Sequence, residues 1–316
     1  MGARGLQLFL LLLVILAAFA LRIHALEYQS FWSDEGLSLY RARQPLSAVF
    51  ANTITVDGID TKDTNPAFYF LLLHGWRSLA GESVFALRFL GAALATLSVP
   101  LIYVVATAVL GRWSGLATAV FLAVSPLHVW QSQILRNYGL LVTLNLLSVY
   151  GLVRFMQSAG SRRRWRWLGV WAAAGFLSIF SHYFGFFVMA YGALVLTLYL
   201  LNQWLRPATG RRKLPGRWFW LILGLLLMLL IPLTLTAYDR FQIGQQIDFY
   251  QTPPLDFFTH AIHVFSAGDI PGIIHPWQRV WPAALLAALG LIFGWRRSRA
   301  GTLFILGYQL IPLGLL

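Results

Sequence analysis

Cysteine is absent from this 316-residue chain, which excludes a disulfide framework, a thiolate metal site and a cysteine nucleophile. Charge is scarce, at 11% of residues against 58% hydrophobic. Acids are scarcest of all: eleven Asp and Glu stand against 24 Lys and Arg, and every acid falls within 27–82 or 239–269. There is no internal repeat of fixed period, no low-complexity linker and no strict apolar alternation, and the last of these excludes a membrane β-barrel.

What fills the chain is a series of apolar runs, at 6–21, 67–80, 84–110, 116–130, 140–156, 167–180, 184–201, 218–238, 280–293 and 303–316. Several approach the ~20 residues a helix needs to cross a bilayer. With no water in the hydrocarbon, the backbone must satisfy itself within each segment, and Leu/Ala-rich runs do so as helices. The fold class expected is all-α: a polytopic transmembrane bundle of about 9–11 membrane segments, read as one domain over 1–316. Ala18-Phe19-Ala20 resembles a signal-peptide cleavage site. The run before it is long for such a signal, and the loop after it needs an anchor, so a retained helix is expected. The chain stops inside an apolar run at Leu316, so either the last helix ends abruptly or the sequence belongs to a longer protein.

The net charge of +13 would suggest nucleic acid in a soluble protein. Here the cations cluster between apolar runs: five in 154–166, five in 206–217 and three in 296–299. Those loops read as cytoplasmic and the acidic ones as outward, and no stacking platform accompanies them, which excludes a nucleic-acid partner. With 154–166 inside, 131–138, 181–183 and the second large loop, 239–276, face outward. Counting every run as a crossing misplaces the front of the chain. One early segment is therefore expected not to cross singly, either the short 67–80 or the run containing Pro100. The first large loop, 25–66, has apolar spacings suited to short amphipathic helices on the membrane surface.

That loop holds the stretch FWSDEGLSLY at 31–40, with two adjacent acids, Asp34 and Glu35. On the same predicted face lie Asp57, Asp60, Asp63, Arg136, Tyr138, His182 and Tyr183. A carboxylate can take a proton from an acceptor hydroxyl, and a guanidinium can hold a phosphate bidentately as it leaves. Sugar transfer from a lipid phosphate needs both, and a nearby carboxylate also stabilises the oxocarbenium-like transition state. Each residue also has a plainer reading. Asp34 and Glu35 could cap a helix, Arg136 could anchor an interface, and His182 and Tyr183 could belong to an aromatic belt. Arg88 lies in an apolar run, where a cation needs a structural partner or a donor contact. Asp57, Asp60 and Asp63 are weak candidates for a divalent cation. No cofactor is required in principle, because a lipid phosphate can leave once Arg136 neutralises it.

In order, Trp32-Ser33-Asp34-Glu35, Asn65-Pro66-Ala67-Phe68-Tyr69, Gly81-Glu82-Ser83, Ala86-Leu87-Arg88, Ser125-Pro126, Gln131-Ser132-Gln133 and Arg136-Asn137-Tyr138 form a pattern. It resembles the GT-C superfamily of membrane glycosyltransferases, most closely the bacterial family-39 type related to protein O-mannosyltransferases and lipid A aminoarabinose transferases, over about residues 6–200. The resemblance implies a hexosyl- or pentosyltransferase of the cell envelope, in a bacterial-type cell membrane. The donor would be a polyprenyl-phosphate sugar, the acceptor a glycan, lipid or protein hydroxyl, and the transfer inverting at an outward-facing site. Asp34 would be the base with Glu35 its companion, and Arg136 and Tyr138 would meet the donor phosphate. Beside what the resemblance carries over, Arg88 is a candidate for the donor phosphate, and Asn65, Tyr69, His182 and Tyr183 are candidates for the substrate. Two departures stand out: Pro66-Ala67 replaces the common Pro-Pro, and Ile134-Leu135 leaves out a Glu that many relatives carry there. The alternative from another class is a transporter or flippase for a polar lipid or sugar, which would favour inverted repeats and midplane charges. A non-catalytic scaffold would not explain the ordered motifs.

Overall fold

A computed structural model describes residues 2–56, 59–62, 65–159, 161–205, 224 and 277–314. The described chain is helical apart from one hairpin. Helix α1 (Ala3–Ile23) leads to α2 (Ser33–Arg43) and α3 (Leu46–Ala51), then strands β1 (Thr53–Val56) and β2 (Ile59–Lys62). Next come α4 (Phe68–Ala80), α5 (Val84–Thr96), α6 (Ser98–Leu110), α7 (Arg112–Val124), α8 (Pro126–Ser132) and α9 (Tyr138–Gln157). Helices α10 (Arg164–Ser181), α11 (Gly185–Leu205), α12 (Trp277–Arg297) and α13 (Arg299–Gly314) complete the described order. The strands pair antiparallel, Thr53 opposite Lys62 and Val56 opposite Ile59. The first large loop thus holds the expected short helices and, in addition, a hairpin that the sequence reading lacks.

Among the described residues four helical stretches are long and apolar enough to cross a membrane: Ala3–Ile23, Val84–Leu110, Tyr138–Gln157 and Gly185–Gln203. The bent pair α7–α8, with a 58° angle, makes a fifth. Ala18 is buried, in one apolar cluster with Leu11, Val99, Leu116 and Ala119, so α1 is an integral part of the bundle. Helix α4 has 13 residues, about 20 Å at 1.5 Å per residue, and packs along α2. It falls short of the length needed to cross a membrane singly. Pro100 also leaves its mark: it lacks the N–H that would bond Thr96, and the helix is interrupted at Leu97 between α5 and α6.

The other break has a similar cause. Pro126 cannot donate to Leu122, and the chain bends between α7 and α8. Arg22, fully buried at the end of α1, supplies donors instead: one terminal nitrogen reaches Leu122 O at 3.1 Å and the other Ala123 O at 3.1 Å. The Arg22 fork also contacts His128 Nδ1 at 2.8 Å, and His128 Nε2 lies 3.2 Å from Ser98 Oγ. Gln133, just past α8, donates to Leu21 O and His24 O. This ties the 132–137 segment to the end of α1.

Small residues set the helix spacing. A Cβ on Gly139 would lie 2.9 Å from both Gly91 O and the Ala95 Cβ, and one on Gly151 would lie 2.6 Å from Trp171 N. Backbones therefore touch where α5 meets α9 and where α9 meets α10, a packing mode favoured where lipid competes with side-chain burial. Together these contacts sort the loops. Residues 24–56, 65–67, 132–137 and 181–184 meet at one end of the bundle. At the other, Gln157 donates to Ala108 O and the Arg297 guanidinium approaches Gly111.

Candidate active site

Trp32 ends the extended lead-in, and Ser33, Asp34 and Glu35 form the first turn of α2, where acids suit the helix dipole. Successive helical residues point about 100° apart, so the two acids part company. Glu35 is fully buried. Its Oε1 accepts from Arg88 Nε at 2.8 Å and from Leu135 N at 2.7 Å; its Oε2 accepts from Arg88 NH2 at 2.7 Å and from Trp32 N at 3.4 Å. Arg88 uses its remaining N–H groups on Leu26 O, Gln29 O and Ser30 O, at 2.7, 2.8 and 3.3 Å. The structure therefore departs from two expectations. Glu35 has no free face for proton transfer, and Arg88 has no donor left for a phosphate; each saturates the other.

Asp34 points the other way. Its side chain is 39% exposed, and its Oδ2 lies 3.6 Å from the Arg136 guanidinium, which is 13% exposed. Arg136 also approaches the Asp34 carbonyl at 3.4 Å and Ser38 Oγ at 3.5 Å. The segment bearing it is short and non-helical between α8 and α9, anchored by Leu135 N on Glu35 and by Gln133 on the end of α1. One buried carboxylate thus sets the positions of both Asp34 and Arg136.

Asn137 follows, buried, donating to Asn65 Oδ1 at 3.3 Å and to Ser181 O, so it joins three loops. Asn65 is further held through its carbonyl by Arg41, which also donates to Val49 O and Asn52 and lies 3.9 Å over the Phe70 ring. Arg41, Arg22 and Asn137 carry this architecture; the sequence alone assigns none of them a role, Asn137 entering only as part of the Arg136-Asn137-Tyr138 motif, and the available signal was a polar side chain at each edge of an apolar run. Tyr69 is fully buried, its hydroxyl without a hydrogen-bond partner among the described residues; Arg136 Nε and Asn137 Oδ1 are likewise enclosed and unpaired among them. Buried polar atoms are seldom left so.

Tyr138 and His182 face each other with ring centroids 5.8 Å apart. His182 Nδ1 accepts from Phe184 N at 3.1 Å, and burial, helped by the Arg136 charge, pushes its imidazole down to about 4. It is neutral at physiological pH. Tyr183 is half-buried beside it. At the far end of α4, Glu82 pairs with Arg43 at 2.5 Å and Arg77 at 2.7 Å; these cations hold its carboxyl down to about 2 and clamp α2 to the α4–α5 turn. Asp57 and Asp63 lie outside the described residues, as does the Asp60 side chain. Among the described residues no group of three or more His, Asp or Glu is placed to hold a metal. The loop 239–276 is outside the description.

The family model for dolichyl-phosphate-mannose-protein mannosyltransferases matches residues 58–247, more than half of the chain. The chain belongs to this mannosyltransferase family. The match includes Asn65, Tyr69, Arg88, Arg136 and His182 but begins after Asp34, so the position of that acid rests on geometry. No curated protein matches the chain. Among solved structures, the fold is similar to that of the S. cerevisiae protein O-mannosyltransferase Pmt1-Pmt2 complex bound to the sugar donor. The TM-score is 0.57 at 20% identity, over 76% of this chain and 34% of that one. It is also similar to ArnT from Cupriavidus metallidurans in the apo state (TM-score 0.50, 19% identity, 99% of this chain and 58% of that one). For ArnT bound to undecaprenyl phosphate the values are 0.50, 18%, 99% and 60%. This mannosyltransferase-family chain therefore spans about a third of the yeast protein and under two thirds of ArnT, and its fold is the GT-C membrane fold.

Proposed function

We propose that this chain transfers a sugar from a polyprenyl-phosphate donor to a hydroxyl on a glycan, lipid or protein. Asp34 takes the proton from the acceptor hydroxyl; its oxygen attacks the anomeric carbon from the face opposite the phosphate, and the bond from that carbon to the phosphate oxygen breaks. The electron pair leaves with the lipid phosphate, whose charge Arg136 meets with its planar fork, and the configuration inverts. Asp34 also faces the positive charge developing on the sugar. The observation that carries the reading is the contrast between the adjacent acids: Glu35 is saturated, whereas Asp34 is open to solvent and 3.6 Å from Arg136. Glu35 and Arg88 are assigned to positioning. The enclosed, unpaired atoms of Tyr69, Arg136 and Asn137, with neutral His182, supply polar partners for the substrate beside Asn65, Tyr138 and Tyr183. No metal takes part in the proposed step, and the aspartates at 57–63 are given no role in it.

Orientation follows from charge. The end opposite Asp34 carries Arg112, Arg162–Arg166 and Arg296–Arg299, which the positive-inside rule places in the cytoplasm; the site then faces outward. The deciding experiment uses Asp34→Asn, near-isosteric at an exposed position. Reconstituted with a panel of polyprenyl-phosphate sugars, the variant is expected to lose transfer by at least about 10³-fold, a general-base contribution with electrostatic stabilisation added, while its thermal midpoint stays that of the parent. Wild-type turnover in a folded Asp34→Asn protein refutes the assignment.

A further inference from the structure

The end of the bundle away from Asp34 holds cations that have no counter-ion among the described residues. Arg154 closes α9 and Arg164 opens α10. The Arg154 guanidinium lies 5.5 Å from the Trp167 ring centroid, and that of Arg164 lies 4.4 Å from Phe155 and 5.6 Å from Trp165. Arg154 Nε, Arg164 Nε and one terminal nitrogen of Arg164 are enclosed without any hydrogen-bond partner among the described residues. Nor does the sequence offer a carboxylate nearby: there is no Asp or Glu between 83 and 238 or after 269. Glu82, the acid just before that stretch, is engaged at the opposite end by Arg43 and Arg77. In sequence, the stretch that follows α11 carries cations and no acid: Arg206, Arg211, Arg212, Lys213 and Arg217. Aromatic faces offset part of the cost of a partly desolvated guanidinium, but they supply neither an anion nor acceptors for the idle N–H groups.

We propose that Arg154 and Arg164, framed by Phe155, Trp165 and Trp167, bind the phosphodiester of an anionic glycerophospholipid. Guanidinium forks match phosphate oxygens bidentately, indole rings settle at headgroup depth, and basic pockets between membrane helices on the cytoplasmic side take anionic headgroups. Trp165 is 44% exposed beside the cations, a surface for acyl chains that a free phosphate ion would leave uncovered. The proposal concerns the end opposite Asp34 and is independent of the glycosyl-transfer reading.

The test is native mass spectrometry of the purified full chain, exchanged with an equimolar mixture of dioleoyl phosphatidylglycerol and dioleoyl phosphatidylcholine. Phosphatidylglycerol adducts are expected to exceed phosphatidylcholine adducts several-fold. Arg154→Gln/Arg164→Gln removes that preference, and Arg166→Gln, at an exposed neighbouring cation, keeps it. Should the double glutamine variant fail to fold, Arg154→Lys/Arg164→Lys keeps the charge without the fork and is expected to weaken the preference. Equal retention of the two lipids by the parent chain, an undiminished preference in the folded double variants, or suppression of the adducts by an equal concentration of inorganic phosphate overturns the proposal.

Discussion

Replacing Glu35 by Gln separates a scaffold role from a chemical one. The substitution keeps an amide oxygen for Leu135 N but turns an NH2 toward Arg88, donor against donor. It also leaves the Arg88 guanidinium, 6% exposed, without its anion. Breaking a buried pair on one side costs about 3–5 kcal/mol, because the remaining charge stays desolvated. Truncating both partners, Glu35→Leu with Arg88→Met, removes the stranded charge. It still orphans Leu26 O, Gln29 O, Ser30 O and Leu135 N, roughly 1 kcal/mol each, so about 3–4 kcal/mol remains lost. Glu35→Asp, with a shorter reach, recovers part. The assay is thermal and SDS-titrated unfolding followed by tryptophan fluorescence, run beside transfer assays at a temperature where each variant is folded. Activity is expected to fall with stability, since Glu35 anchors both Asp34 and Leu135-Arg136. A Glu35→Gln protein as stable as its parent but inactive would refute the scaffold assignment and restore Glu35 to the chemistry.

Three further outcomes follow from the geometry. Arg22→Met leaves Leu122 O, Ala123 O and His128 without their donors, so a loss of about 3 kcal/mol is expected in the same unfolding assay; parental stability would mean that water caps the α7 break. Gly139→Ala forces α5 and α9 apart, costing about 1–3 kcal/mol and shifting Arg136 three residues away, so transfer should fall by more than the stability loss explains; unchanged kinetics would uncouple that crossing from the site. His182 binds its proton at about 4 in the folded chain against about 6.5 unfolded. The unfolded state therefore holds more protons below pH 6.5, and stability drops as pH falls from there toward 4. Between pH 7.5 and 5 the expected loss is about 2 kcal/mol. His182→Asn, which can still accept from Phe184 N, removes that slope; an identical pH profile in the variant refutes it.

Much of the fold was legible because its signals are local. Apolar run length, the alternation of basic and acidic loops, and the stops at Pro100 and Pro126 each act within a few residues. The all-α membrane bundle follows from them, as does the shortness of the 67–80 segment. The hairpin was missed because its strands have four residues each: Thr53-Ile54-Thr55-Val56 alternates too briefly to stand out, and Ile59-Asp60-Thr61-Lys62 holds one apolar residue. Arg22 stands just past the first apolar run in the sequence, yet it is a buried cap for carbonyls one hundred residues away; nothing at position 22 encodes where α7 will break.

The same division runs through the acid pair. The sequence by itself determined that two carboxylates stand just past the first membrane helix, that an arginine and hydroxyl-bearing residues follow in a set order, and that charge sorts the loops to two ends. Tertiary structure alone decided which acid is which. Asp34 and Glu35 differ by one helical step, and their environments come from partners 53 and 100 residues away. Packing α5 and the 132–137 segment against one side of α2 desolvates Glu35 and saturates it with donors. The other side stays open, and there Asp34 keeps a solvated carboxylate beside Arg136. Desolvation is a property of the assembled faces, so no reading of adjacent residues could assign it.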